Sequence, residues 1–504
     1  MSFSFVPLLT RMQELRDLGG TIGLLTWDQE TYLPPRADEA RGAQLATLQG
    51  LYHERLTAPV LGDLLAAAAA AAPDLPADHR AMARVLAWER GRAVNVPGDL
   101  VRAIAEAQSQ GLTAWRAARE AKDFRVFQPA LQKLLELRRQ QADAIGHSGE
   151  RYDALLEGYE PGMRVERLRP VLESLSRRLV PIIRAASEAC ARRGPSPLDG
   201  KTFDVDRQWA FTLRLLKDMG FDLDAGRQDK SIHPFTGGTH PRDVRLTTRL
   251  ELENPFPALF GTIHEGGHGL YEQGFSEEHF RTPLAAAPSM GLHESQSRLW
   301  ENVVGRSRGF WRHYFPILQA ELPEALGGLD LERFHAAVNR VEPSLVRVEA
   351  DEVTYNQHVA LRFELELLLV NGRLPLADLP AEWNARMERL LGVRPPDDVK
   401  GVLQDIHWAW GEFGYFPTYA LGNLYSAQLW SVARPKVEAE IERGNLLPLR
   451  DWLREKVHRE GYRYPAEELV KRICGRGLTD DDFIRYLTAK YSELYGISIP
   501  EGRA

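Results

Sequence analysis

Apolar residues recur every three or four positions over most of this chain, with charged residues between them. That spacing puts the apolar side chains on one face of a helix, so it predicts one amphipathic helix after another. Prolines and glycines separate the helical segments, and we find neither a repeat of fixed period nor a clear linker. The pattern therefore predicts a mainly α-helical single body over residues 1–504, with halves at 1–200 and 201–504 and a cleft between them. The helices predicted in the first half are Met1 to Leu18, Ala37 to Arg55, Ala81 to Arg92, Pro97 to Lys122, Pro129 to Ile145 and Val165 to Ala191.

The helical spacing gives way to alternation in one place, between Arg227 and Leu250. The run 243–248 alternates, is partly β-branched and follows a Gly-Gly pair, and a segment at 231–235 precedes that pair. We therefore predict a small β-hairpin inside the helical body. The helices predicted after it are Pro257 to Gln273, Ser289 to Gly305, Leu331 to Val341, Glu349 to Asn371, Pro380 to Leu391 and Tyr419 to Gly444.

The composition is that of an ordinary globular protein. Of 504 residues, 44% are apolar and 26% charged, and the net charge of −7 gives no sign of a nucleic-acid or membrane partner. Two cysteines, Cys190 and Cys474, are too few for a disulfide framework, which favours a reducing compartment. The first residues do not resemble a signal peptide, and the longest apolar run, Leu64 to Ala72, is too short to span a membrane. We expect a cytoplasmic protein.

The pentapeptide His264-Glu265-Gly266-Gly267-His268 has the pattern of a zinc peptidase. On a helix its two histidines lie one turn apart, so both imidazoles can bind one cation. Glu265 lies about 100° further round, where a carboxylate can accept a proton from an activated water without being a ligand. Two incidental histidines on a helix would give the same pattern. Each glycine costs a helix about 1 kcal/mol relative to alanine, which predicts a close backbone approach.

A catalytic zinc needs a third protein ligand and one open position. The segment that follows Ser289 offers two candidates, Glu294 and His293. Ser289 can cap a helix that begins there, and Glu294 would then point toward the metal helix. The residues alone leave both ligands open, and Glu294 also fits a surface carboxylate stabilised by a helix N-terminus.

Peptide hydrolysis requires proton transfer and a partner for the oxyanion. Zinc lowers the pKa of a bound water from ~15.7 to ~7, and Glu265 can take the proton and pass it to the leaving amine. The oxyanion needs hydrogen-bond donors, which His407 and Tyr415 can supply. Core packing is the simpler interpretation of Tyr415.

An enzyme that removes C-terminal residues must also bind a free carboxylate, and arginine does this best. Arg347 lies among apolar neighbours, where an unpaired charge would be costly. It could instead pair with Asp351, one turn further on. Arg245 is the second candidate, with Asp243 as its possible partner.

Six ordered motifs together resemble the carboxypeptidase Taq family, whose pattern reads HPF, DxRxT, HExxH, HES or HET followed by Q, IRxxAD and GxxQDxHW. The resemblance spans nearly the whole chain, and the one departure is Val346 where the pattern has isoleucine. Trp27-Asp28-Gln29-Glu30-Thr31 is also similar to family members. In this chain the motifs are His233-Pro234-Phe235, Asp243-Val244-Arg245-Leu246-Thr247, His264 to His268, His293-Glu294-Ser295-Gln296, Val346 to Asp351 and Gly401 to Trp408.

The resemblance implies a metallocarboxypeptidase of broad specificity that uses zinc, with cobalt as an alternative. It implies a helical fold with a deep substrate groove, similar to neurolysin-type peptidases, and a homodimer. The competing hypotheses are an oligopeptidase, a peptidyl-dipeptidase and a helical metal-binding protein without activity. From the residues and the resemblance together, the candidate site residues are His264, His268 and Glu294 for the metal, Glu265, His407 and Tyr415 for catalysis, and Arg347, Arg245, His233, Gln404 and Asp405 for the substrate.

Overall fold

The expected mainly α fold is confirmed by the structure, a computed structural model that describes residues 3–499. Helices hold 68% of the residues and strands only 3%, so helix packing forms the body. Met1 and Ser2, where the first predicted helix starts, lie outside the described residues. The helices before the sheet are α1 Val6–Thr31, α2 Asp38–Thr57, α3 Pro59–Ala70, α4 Ala77–Val94, α5 Gly98–Ala121, α6 Phe124–Ile145, α7 Arg151–Leu156, α8 Val165–Arg192 and α9 Val205–Met219.

A small sheet separates these helices from those that follow. Its strands are β1 Gly226–Lys230, β2 Thr236–His240 and β3 Asp243–Thr248. The later helices are α10 Phe256–Glu272, α11 Met290–Arg298, α12 Arg308–Glu321, α13 Pro323–Leu326, α14 Leu331–Val338, α15 Tyr355–Val370, α16 Leu379–Leu391, α17 Pro417–Ile441, α18 Leu447–Lys456, α19 Ala466–Cys474 and α20 Asp481–Tyr495. Among residues 3–499, no helix combines the length and the apolar character that a membrane crossing requires.

The predicted helix from Glu349 to Asn371 starts too early, because Asp351 ends the preceding segment. Its carboxylate accepts hydrogen bonds from the backbone N–H groups of Val353 and Thr354. Such a bond satisfies the first amides of a helix, so regular structure begins after it, at Tyr355.

The predicted hairpin is part of a three-stranded mixed sheet with the order β1-β3-β2. Strand β3 pairs antiparallel with β2, as the hairpin prediction requires, and parallel with β1, which the sequence did not predict. The Gly237-Gly238 pair, expected in the turn, lies inside β2 instead. Close packing explains these glycines, since a Cβ on Gly238 would lie 3.0 Å from Oε2 of Glu272.

Buried apolar residues within 3–499 form one large cluster and two smaller ones, of which one joins α5 to α6 through Ile104, Ala107, Leu134 and Leu137. The large cluster runs from Ala118 to Ile499 and includes the helices that carry the candidate metal ligands. The other small cluster joins helices α1, α2, α3 and α4, with Leu284 and Tyr462 contributed from later in the chain. The proposed halves at 1–200 and 201–504 stay a prediction.

Candidate metal centre

Two helices bring His264, His268 and Glu294 together. Their ligand atoms all lie within 4.8 Å of one another. The Nε2 atoms of His264 and His268 lie 3.6 and 3.3 Å from Oε2 of Glu294. Metal–ligand bonds of about 2.0–2.1 Å at tetrahedral angles place two ligand atoms about 3.3 Å apart. The nitrogen and oxygen atoms are therefore spaced as a zinc site requires.

Glycines allow this close approach of backbone and side chain. A Cβ on Gly267, in α10, would lie 2.7 Å from the Cα atom of Ser297 in α11. A Cβ on Gly422, in α17, would lie 2.5 Å from Cγ of Glu294. The close backbone approach that the glycine pair in the motif predicts is therefore present. Ser289 caps α11 as expected, because its side chain accepts a hydrogen bond from Leu292 N–H.

The two candidate imidazoles have different partners on the side away from the metal position. Nδ1 of His264 lies 2.8 Å from Oε2 of Glu301, in a turn of π-helix at Leu299–Val304. Nδ1 of His268 lies 2.6 Å from Nδ1 of His293. Nε2 of His293 in turn lies 2.8 Å from Oε1 of Glu272. Both ring nitrogens of His293 thus have protein partners, which disfavours it as a ligand.

The charges around the centre suit a bound cation. Burial would raise the pKa of Glu294, but the guanidinium of Arg298, 2.7 Å away, and the imidazoles hold it well below its usual range. Burial would lower the pKa of His264, and the carboxylates of Glu294 and Glu301 raise it above its usual value. Burial lowers the pKa of His268 to about 3, so this ring stays neutral, with a lone pair available for a metal.

Glu265, the candidate base, is oriented by Thr236 at the start of β2. The Thr236 hydroxyl lies 2.6 Å from Oε2 of Glu265 and 3.1 Å from its carbonyl oxygen. Burial raises the pKa of Glu265, against the opposing effects of His264 and of this hydrogen bond. A carboxylate with a raised pKa accepts a proton more readily at neutral pH.

A buried arginine network surrounds Arg347. Its Nε donates to Oδ1 of Asp405 at 2.9 Å and its Nη1 to the hydroxyl of Tyr355 at 2.9 Å. Arg362 shares the same carboxylate, and Gln404 accepts hydrogen bonds from the Arg347 backbone and from Arg362. The remaining amino group of Arg347, Nη2, makes no hydrogen bond to any residue that the structure describes. The pairing with Asp351 that the sequence left open is replaced by the one with Asp405.

Arg245 lies on β3 and forms the pair with Asp243 that its spacing suggested. Two of its nitrogens lie 2.8 and 3.1 Å from the carboxylate oxygens, and its guanidinium stacks on Trp27 at 4.3 Å. The ring of His233 is exposed, in the segment between β1 and β2. Its carbonyl oxygen accepts a hydrogen bond from the Ser231 hydroxyl.

Aromatic residues line the space beside Glu294. Tyr415 and Tyr419 are hydrogen-bonded, and burial raises the pKa of both phenols, with the Glu294 carboxylate adding to the rise. Nε2 of His407 lies 3.4 Å from the Tyr419 hydroxyl. Burial also lowers the pKa of His407 to about 3, so the ring is neutral. Neutral phenol and imidazole groups can donate hydrogen bonds to an oxyanion.

Several residues of this centre were not predicted from the sequence. They are Thr236, Glu272, Arg298, Glu301, Arg362 and Tyr419. Helical spacing could have found Arg298, because it lies one turn after Glu294 and pairs with it. No local signal connects Glu301 to His264 or Arg362 to Asp405, since 37 and 43 residues separate them.

Comparison with known proteins gives a consistent result over the whole chain. The profile of the carboxypeptidase Taq (M32) metallopeptidase family matches residues 7–491. Thermostable carboxypeptidase 1 of Thermus thermophilus is 42% identical over 98% of this chain and 99% of its own. The protein of that name from Pyrococcus furiosus is 37% identical over 96% and 97%. The structure of an M32 carboxypeptidase from Deinococcus radiodurans superposes with a TM-score of 0.94 at 41% identity, covering 98% of this chain and 99% of the other.

Proposed function

Because the chain belongs to the carboxypeptidase Taq (M32) metallopeptidases, we propose that it releases single amino acids from peptide C-termini, with broad specificity and with zinc as its metal. Carboxypeptidase activity and a metal ion belong to the family. The proposal adds the metal, the cleavage position and the residues involved. Cobalt is the alternative metal, and peptides with a free C-terminus are the substrates.

The observation that carries the proposal is the convergence of His264, His268 and Glu294. Two imidazole nitrogens and one carboxylate oxygen are the donor set of a catalytic zinc with one open position. The distances of 3.3 and 3.6 Å from Oε2 of Glu294 to the two imidazole nitrogens are close to those expected around a bound zinc. A bound zinc supplies a Lewis acid that polarises the peptide carbonyl and activates water.

The chain's own groups then move the protons and stabilise charge. Glu265 accepts a proton from the attacking water and delivers it to the leaving amine, while Thr236 holds its carboxylate in place. Tyr415 and His407, together with Tyr419, donate hydrogen bonds to the oxyanion. Each of these groups acts within a largely buried site, where a charge–dipole interaction is stronger than in water.

Arg347 is the proposed anchor for the substrate carboxylate. It shares the Asp405 carboxylate with Arg362, so one positive charge of the pair remains uncompensated. The Nη2 group of Arg347 is available for a hydrogen bond. Arg245 is a weaker candidate because Asp243 already binds its guanidinium by two hydrogen bonds. Gln404 and Asp405 hold the two arginines in place, and a role in substrate binding for them and for His233 stays a prediction.

The direct test compares a peptide carrying a free C-terminus with the same peptide amidated. An exopeptidase anchored by Arg347 cleaves the free peptide and loses most of its kcat/KM on the amide. Equal rates on both peptides would instead establish an oligopeptidase that cuts internally. Mass spectrometry of the products separates the third possibility, because a peptidyl-dipeptidase releases dipeptides. Metal analysis of the purified protein identifies the ion.

A homodimer and a cytoplasmic location complete the proposal. The dimer rests on the family resemblance, and light scattering of the purified chain measures it. The location is supported by the free thiols of Cys190 and Cys474, which form no disulfide. Cell fractionation tests it.

A further inference from the structure

His293, which the sequence left as a rival metal ligand, lies between His268 and a carboxylate. Its Nδ1 lies 2.6 Å from Nδ1 of His268 and its Nε2 lies 2.8 Å from Oε1 of Glu272. A neutral imidazole has one N–H donor and one acceptor nitrogen. At each of these two contacts, therefore, one atom must donate and the other must accept.

Metal binding leaves one consistent assignment of these hydrogens. A metal on Nε2 of His268 needs the lone pair of that nitrogen, so the ring hydrogen is on Nδ1. Nδ1 of His268 then donates to Nδ1 of His293, whose own hydrogen is on Nε2 and points at Glu272. The ionised carboxylate can only accept, so it fixes the direction of the whole chain of hydrogen bonds.

We propose that His293, anchored by Glu272, is a positioning residue that holds His268 in the tautomer and orientation that bind the metal. The inference rests on the proposed metal site and adds the groups that prepare it. Partners of this kind raise the basicity of a ligand and fix its ring orientation.

His268, His293 and Glu272 form a hydrogen-bond relay, and packing holds these three residues in place. The rings of His268 and His293 are 4.5 Å apart and inclined by 33°, and Tyr271 lies 5.4 Å from His293 on another side. Glu272 is one helical turn after His268 on α10, and Gly238 of β2 leaves room for its carboxylate. Helix α10, helix α11 and strand β2 therefore all contribute to the relay.

The other candidate ligand offers an internal comparison. His264 reaches its carboxylate, Glu301, directly at 2.8 Å, whereas His268 reaches Glu272 only through His293. If the relay acts as a carboxylate partner, then removing His293 should affect metal binding about as much as removing Glu301.

The test measures the zinc dissociation constant by competition with a chromophoric chelator. His293→Phe keeps a ring of similar size but removes both polar contacts, and we expect zinc to bind about 10–100-fold more weakly. His293→Gln should restore most of the affinity, because its amide oxygen can accept from His268 and its amino group can donate to Glu272. Wild-type affinity in His293→Phe would overturn the inference.

A second pair of variants keeps the test decisive if His293→Phe does not fold. Glu272 is partly exposed, and Glu272→Leu removes the final acceptor while Glu272→Gln retains one. We expect roughly tenfold weaker zinc binding for the leucine variant and near wild-type binding for the glutamine variant. Equal affinities for both variants and the wild type would contradict the role of Glu272.

A matched control uses His335, a buried histidine whose Nε2 bonds the carbonyl oxygen of Arg306. His335→Gln should leave the zinc dissociation constant unchanged, while thermal unfolding of the metal-free variants shows whether each one folds. His268→Ala tests the proposed metal site separately from the proposed role of His293. Loss of zinc in His268→Ala without any loss in His293→Phe rejects the relay alone, whereas unchanged zinc binding in His268→Ala rejects the proposed metal site itself.

Discussion

Two buried ionic networks meet around the proposed active site, and they are unbalanced in opposite directions. In the metal region, Glu294 and Glu301 pair with the guanidinium groups of Arg298 and Arg306. Glu265 and Glu272 contact Thr236 and His293 instead. This region therefore holds four carboxylates and only two guanidinium groups. In the arginine region, Arg347 and Arg362 share the single carboxylate of Asp405, and one positive charge remains.

The two opposite imbalances indicate the sign of the charge that each region can bind. A buried charge without a partner is costly, so an excess of one charge favours a ligand of the opposite charge. The excess of carboxylates in the metal region suits a divalent cation, and the excess guanidinium group in the arginine region suits an anion such as a peptide carboxylate. The proposed carboxypeptidase function would bring both charges together, with the metal in one region and the C-terminal carboxylate of a peptide in the other.

The largest expected effect comes from Glu265, the carboxylate of the metal region that is proposed as the general base. Glu265→Gln should lower kcat by a factor on the order of a hundred or more, because a general base is lost. The three ligands are untouched, so metal content should stay at the wild-type level. Peptide hydrolysis at the wild-type rate in the metal-loaded variant would remove Glu265 from the mechanism.

The next largest effect should come from the arginine region. A charge-assisted hydrogen bond contributes about 2 kcal/mol, so Arg347→Gln should lower kcat/KM on a free peptide roughly thirtyfold. Hydrolysis of the amidated peptide should change little, since it lacks the charge. Arg245→Gln is the matched control, and a larger loss there would move the carboxylate anchor to β3.

Metal removal should lower the free energy of unfolding, and this effect should depend on the proposed metal ligands and not on Arg347. At a free zinc concentration ten times the dissociation constant, binding stabilises the folded chain by about 1.4 kcal/mol. Thermal unfolding with and without chelator should show this shift in the wild type and in Arg347→Gln. His268→Ala should show none, and a shift that persists there would place the ion elsewhere.

The last expected effect concerns the pH dependence of stability and involves Glu366, next to the arginine region. Its carboxylate accepts hydrogen bonds from Tyr152, Trp408 and Gly414, all neutral, and burial raises its pKa to about 7. The folded chain therefore keeps a proton that the unfolded chain releases from about pH 4.5 upward, so stability falls as pH rises through 4.5 to 7. Glu366→Gln should flatten this part of the profile in urea unfolding, and an unchanged slope would show that Glu366 is ionised.

The sequence predicts what local spacing determines. Helical periodicity located most helices, and the spacing of His264 and His268 placed both rings on one face of α10. Contacts between distant segments could not be predicted in this way. Strand β1 joins the sheet by pairing with β3 rather than through its own alternation, and Glu301 reaches His264 from a π-helical turn that its sequence does not reveal. Asp405 bonds to Arg347 and Arg362 across 58 and 43 residues, so only the folded chain shows that the two arginines share it.

The glycines at positions 267 and 422 affect the distance between the proposed metal ligands, although neither glycine provides a donor atom. A methyl group at either position would displace α11 or the side chain of Glu294 by a fraction of an ångström. That distance is comparable with the difference between zinc bonds of about 2.0–2.1 Å and calcium bonds of about 2.3–2.6 Å. Two residues without a donor atom therefore help to determine which ionic radius the proposed site would fit.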